Sequence, residues 1–121
     1  MKESDMGLDM YAYAKQSPDA QDREDLAYWR KHANLHGWMQ RLHAAKGGNP
    51  VPEAFNCVEV ELTASDLDLL QLETQTRELP KTTGFFFGES TPEDDADTLA
   101  FIKKAREALA QGRRVFYNSW W

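Results

Sequence analysis

Twelve residues, Tyr28–Met39 (YWRKHANLHGWM), hold three aromatics, two cations and two histidines. Those types could bind a metal, grip an anion or dock an aromatic surface. His32, His36 and His43 are the histidines of the chain. On one continuous helix they fall within about 40° of each other, at 100° per residue. A four-residue spacing lets two imidazoles reach one metal, and Glu59 or Glu61 could add a third ligand. Against that, the pair lacks the adjacent glutamate of a zinc protease. The same stripe carries Tyr28, Trp29, Leu35 and Met39, the apolar side of such a helix. Histidines on an apolar face commonly pack and hydrogen-bond. No metal and no cofactor is expected.

Arg30 presents planar donors suited to a carboxylate or a phosphate. If it shares a helix with Trp38, the indole lies about 80° away and borders the same site. The plainer reading is a solvated face with Trp38 closing the core edge. Tyr11 and Tyr13, near the start, could converge with His32 and His36 on a ligand. Trp120 and Trp121 close the sequence. They either dock into the fold or serve a partner, since Trp, Tyr and Arg dominate interface hot spots. Cys57 precedes an apolar stretch with no base nearby in sequence, so a buried, inert thiol is expected. Neither a GxxxxGK[ST] nor a GxGxxG phosphate loop is present.

These residues need elements to hold them. Leu8, Met10, Ala12 and Ala14 alternate with Asp9, Tyr11 and Tyr13, predicting a strand over Leu8–Lys15. Ser17-Pro18-Asp19 breaks it. A helix is expected from about Arg23 to about Lys46, capped by Asp22, with Gly37 inside and Gly47-Gly48-Asn49-Pro50 as its stop. Cys57–Leu62 reads as a strand. Thr63 to Asp66 resembles a capping box, and the helix behind it runs to about Arg77, burying Leu67, Leu69 and Leu70. Thr82–Gly88, with three phenylalanines between glycines, reads as a short buried strand or a plug. Thr91-Pro92-Glu93-Asp94-Asp95 is a strong helix start. That helix buries Leu99, Ile102, Ala105 and Leu109, and Gly112 ends it. Its acids suit the helix N-terminus, and could also imitate phosphates toward a basic partner. Arg113–Trp120 is the last strand, with Val115 and Tyr117 opposite Phe116 and Asn118.

The fold class is therefore α+β. A small three- to four-stranded sheet is covered by three helices, in the order β-α-β-α-(β)-α-β. All 121 residues form one domain, with 1–6 expected to be flexible. A formal net charge of −6 disfavours nucleic acid, which needs a basic footprint, and anionic membranes. One cysteine rules out a disulfide framework and fits a reducing cytoplasm.

Four segments carry a resemblance: GLDMYAYAK, YWRKHANLHGWM, FNCVEVEL with TTGFFFG, and VFYNSWW. In this order the chain resembles a family of small proteins of tailed bacteriophages and prophages, over nearly all of residues 7–121. That family often has proline where Ala33 stands. The resemblance implies phage origin, residence in the cytoplasm of a bacterial host and a small α+β domain. It transfers no activity and no catalytic residue. The expected function is a non-enzymatic protein-interaction module, acting through Arg30, Trp38, Trp120 and Trp121 on a host or phage protein, with a homodimer also open. The alternative is a small ligand-binding domain or enzyme built on His32, His36 and His43, with Tyr11 and Tyr13.

Overall fold

Alternation in the first strand divides the molecule into two layers. The computed structural model describes residues 8–17, 19–50, 55–80 and 92–121. It contains β1 (Asp9–Lys15), β2 (Glu24–Arg30), α1 (Ala33–Ala45), β3 (Val60–Leu62), α2 (Ala64–Gln75), α3 (Pro92–Ala110) and β4 (Arg114–Trp120). The strands form one antiparallel sheet in the order β2-β1-β4-β3. The α+β class, with a four-stranded sheet and three helices, is as expected. Residues 1–6, the Thr82–Gly88 segment and the Thr91 cap lie outside the described residues.

The expected helix from Arg23 with its Asp22 cap is corrected by β2. Residues Glu24–Arg30 pair with β1, and the helix begins only at Ala33. Ala12 pairs with Ala27 and Tyr13 with Asp25, so Leu26 is an extra residue in a bulge. The bulge turns Leu26 toward the core that Trp29 also enters. Two buried residues three apart imitate helical periodicity, which is why the segment reads as helix. Lys31 then takes φ 61°, and its N–H donates to the Leu8 carbonyl at 2.8 Å. This bend separates strand from helix. Ala33 is the first residue of α1. A proline there, as in the resembled pattern, would occupy a tolerated first-turn position rather than form a kink.

One side of the sheet holds the core. Met10, Ala12, Ala14, Val115, Tyr117, Val60 and Leu62 project from it and are buried. Helix α3 lies over β2, β1 and β4, while α1 and α2 reach β3. Trp29 meets Phe101 edge-on at 5.3 Å, and Phe55 stacks on Tyr117 at 6.0 Å. Such aromatic pairs add about 0.5–1.5 kcal/mol beyond their burial. Of the predicted α2 residues, Leu67 and Leu70 are buried but Leu69 is 50% exposed. It lies on the outer side of the helix, beyond reach of the sheet.

The predicted capping box is present. Thr63 N–H donates to Asp66 Oδ2 at 2.8 Å, and Asp66 N–H to Thr63 Oγ1 at 3.3 Å. All three helices end alike, with a left-handed residue and a bond back across the last turn. Gly48 N–H reaches the His43 carbonyl, Glu78 N–H that of Glu73, and Arg113 N–H that of Ala108. The left-handed residues are Gly47, Arg77 and Gly112.

The predicted strand at Cys57–Leu62 shortens to Val60–Leu62. Cys57 has φ 62°, which ends extended backbone, and it is exposed rather than buried.

Candidate functional site

The second side of the sheet carries no helix among the described residues. Its residues are set by register. Arg30, Asp9 and Trp120 form one row across β2, β1 and β4, and Tyr28, Tyr11 and Asn118 form the next. Below them come Asp25, Tyr13, Phe116 and, on β3, Glu61.

The lower half is closed by side chains. Tyr13 and Phe116 stack at 6.1 Å and are buried. The Arg23 guanidinium lies 4.3 Å from the Tyr13 ring centre, and Lys15 Nζ lies 4.7 Å from that of Phe116. Cations over ring faces attract the aromatic quadrupole. The Tyr13 hydroxyl donates to Glu59. Burial, and then that bond, push its pKa up to about 12, so it remains a donor.

The upper half is open. Tyr28 is 54% exposed and Trp120 is 58% exposed. Tyr11 lies between their strands, with its ring 5.3 Å from that of Tyr28. Asp9 organises this half. Its Oδ1 accepts from the Tyr28 hydroxyl at 2.6 Å and from Arg30 NH1 at 2.7 Å. Partial burial, then the bond to Asp9, raise the Tyr28 pKa. The exposed ring is held by its own hydroxyl, so contact with it costs less side-chain ordering.

Charge on this face is paired. Arg30 meets Asp9 at 2.7 Å, Lys15 meets Glu59 at 3.2 Å, and Arg23 meets Asp25 at 3.5 Å. Arg114 donates from both Nε and NH2 to Glu61, at 2.6 and 2.5 Å. Among the described residues, these four cations and four carboxylates balance on this side.

The histidines lie in the other layer. His32 precedes α1 and is fully buried. Its Nε2 is 3.8 Å from Asp95 Oδ1 at the start of α3. Burial lowers its pKa, against the opposing pull of Asp94, Asp95 and Asp97. His36 is buried on α1 and shares a 2.8 Å hydrogen bond between Nδ1 and the Tyr117 hydroxyl. Burial takes its pKa down to about 4. The Trp121 ring meets His36 edge-on at 4.7 Å, while His43 packs on Phe55 at 5.1 Å. Among the described residues, no group of three or more His, Cys, Asp or Glu is placed to hold a metal. Glu59 and Glu61 belong to the opposite side of the sheet.

The predicted residues therefore part into two sets. Tyr11, Arg30 and Trp120 meet on the open half, with Tyr13 beneath its closed neighbour. His32, His36, Trp38 and Trp121 are in the helix layer. The supposed helical proximity of Arg30 and Trp38 is corrected, because Arg30 is on β2. Trp38 is 5% exposed and its Nε1 donates to Glu73 at 2.9 Å. The terminal tryptophans divide: Trp121 docks, and Trp120 projects outward. Asn56 grips Trp121, accepting from its N–H at 3.1 Å and donating to its carbonyl at 2.9 Å. Sequence reasoning missed Tyr28, Asp9 and Asn118 as members of one surface. Helical spacing puts Tyr28 on the core side. Once β2 is a strand, alternation against Trp29 puts it outside.

No family model, curated protein or solved structure matches this chain.

Proposed function

We propose that the protein is a non-enzymatic interaction module whose contact surface is the open half of the sheet. The observation that carries this reading is the placement of Tyr28, Tyr11 and Trp120 on the side of the sheet that carries no helix among the described residues, with Tyr28 pinned by Asp9. Large exposed aromatics grouped together mark binding surfaces more often than scattered ones do. Pairing of the neighbouring cations favours a protein over a nucleic acid. A phosphate backbone is held by cations free to displace counterions. The phage resemblance adds a setting, the cytoplasm of an infected bacterium, and makes a host or phage protein the partner class.

Burial of His32 and His36 weighs against the alternative of a histidine ligand site, because a ligand would have to displace Trp121 or the first turn of α3. The test is affinity capture by the tagged protein from bacterial lysate, beside Tyr28→Ala and Trp120→Ala variants. A stoichiometric partner lost from both variants supports the reading. A partner kept by both removes the open half from it.

A further inference from the structure

We propose that Asn56 and His36 form a binding site for a tryptophan residue carried on a peptide, that Trp121 fills it from within the chain, and that a tryptophan of another molecule fills it when Trp121 lifts away. The site lies in the helix layer and is independent of the open half of the sheet. Strand β4 ends at Trp120, whose pairing with Asp9 is the last of the register. Trp121 is one residue beyond that ladder, and a side chain takes over where strand pairing stops. The Asn56 amide accepts from the Trp121 N–H at 3.1 Å and donates to its carbonyl at 2.9 Å. Cys57 N–H donates to the Ser119 carbonyl at 2.8 Å, which seats the Asn56 turn beside the end of the strand.

Each contact reads one chemical feature. The paired amide bonds read the N–H and the carbonyl of a single residue, as one strand reads another. The His36 ring reads the indole, which meets it edge-on at 4.7 Å, a favoured geometry for two rings. Two contacts that do not involve Trp121 fix His36. Its Nδ1 shares a 2.8 Å hydrogen bond with the Tyr117 hydroxyl, and Phe55 lies 5.2 Å away. The ring therefore stays in place when the indole leaves, and a site ordered in advance binds more tightly. Trp121 is half-buried and outside the ladder, so its departure leaves sheet pairing intact. While it stays, its short tether gives it a millimolar or higher effective concentration, which masks the site. A tryptophan within a peptide carries both features. N-acetyl-L-tryptophanamide is a small molecule with both, and 3-methylindole has the ring alone.

The experiment is calorimetric titration of these two probes, up to about 10 mM, into the full-length wild type and Trp121→Pro. Proline withdraws both the indole and the N–H that Asn56 accepts. Trp121→Pro should bind N-acetyl-L-tryptophanamide at least tenfold more tightly than the wild type does, because the inner competitor is gone. It should also prefer that probe to 3-methylindole by about tenfold, the worth of two modest hydrogen bonds. Asn56→Ala added to Trp121→Pro should abolish the preference while leaving 3-methylindole binding unchanged. Equal affinity of Trp121→Pro for the two probes overturns the inference, since a plain apolar cavity takes any ring that fits. Equal affinity of wild type and Trp121→Pro for N-acetyl-L-tryptophanamide, or no binding by a folded Trp121→Pro, overturns it as well. Far-ultraviolet circular dichroism and cooperative urea unfolding establish the fold. If Trp121→Pro fails them, Trp121→Gly takes its place under the same criteria.

Discussion

At the scale of single residues, the contrast between Tyr28 and His36 shows how exposure divides roles. Tyr28 keeps its ring in solvent and spends its hydroxyl on Asp9. His36 spends Nδ1 on Tyr117 and is walled in by Phe55 and Trp121. Its folded pKa of about 4 lies below the ordinary 6.5, so the native state holds it neutral. Between those two values the unfolded chain binds more protons than the native one. The His36 contribution is therefore complete above pH 6.5 and is lost as pH falls toward 4, by up to roughly 3 kcal/mol. His32, also lowered by burial, acts in the same direction. Urea denaturation of the wild type should show falling stability over this window, and His36→Phe should show a flatter fall. An unchanged slope would assign the acid sensitivity elsewhere. Tyr117→Phe tests the same contact at neutral pH. It withdraws one side of a buried bond and should cost about 1–3 kcal/mol. A neutral result would mean that the hydroxyl contributes nothing net.

At the scale of elements, the helix ends lend themselves to quantitative tests. Arg77 closes α2 in a left-handed conformation, φ 59°, at the position where α1 and α3 use glycine. Its side chain is exposed. Arg77→Gly should therefore stabilise the protein by about 1 kcal/mol, measured by thermal or urea unfolding, through relief of the steric cost of that region. Loss of stability would show that the guanidinium holds a contact worth more than the strain. Thr63→Ala removes one half of the capping box and should cost about 1 kcal/mol. The start of α2 was legible in sequence because its capping box, Thr63 with Asp66, is local chemistry fixed by four neighbouring residues. Strand β1 was legible because seven alternating residues, 8–14, project to opposite sides of one sheet. Strand β2 was not. Its bulge at Leu26 is set by pairing with Ala12 and Tyr13, a contact that no local period reveals. With β2 misread, Tyr28 and Arg30 could not be joined to Tyr11 and Trp120, so the site was legible only in pieces. Helical spacing likewise promised a burial for Leu69 that the packing of α2 does not supply.

At the scale of the whole molecule, the sheet has one side occupied by helices and one side half closed by its own ion pairs. The half left open is where further apolar area can be withdrawn from water, and anything that occupied it would become part of the stability of the fold. Anything that binds the native state alone raises the free energy of unfolding by mass action. If the occupant is a second copy, stability depends on protein concentration. A tenfold increase contributes about 1.4 kcal/mol per dimer, or about 0.7 kcal/mol per chain, above the dissociation constant. For a chain of 121 residues that amounts to a rise in Tm of about 3 °C per tenfold step. Scanning calorimetry across two decades of concentration should find this rise in the wild type and find none in Trp120→Glu. The control removes the other explanation for any difference, because a variant that merely packs badly melts lower at every concentration while keeping the same slope. Parallel slopes in the two proteins would separate Trp120 from assembly. A flat wild type would mean that the open half of the sheet faces solvent in the isolated protein.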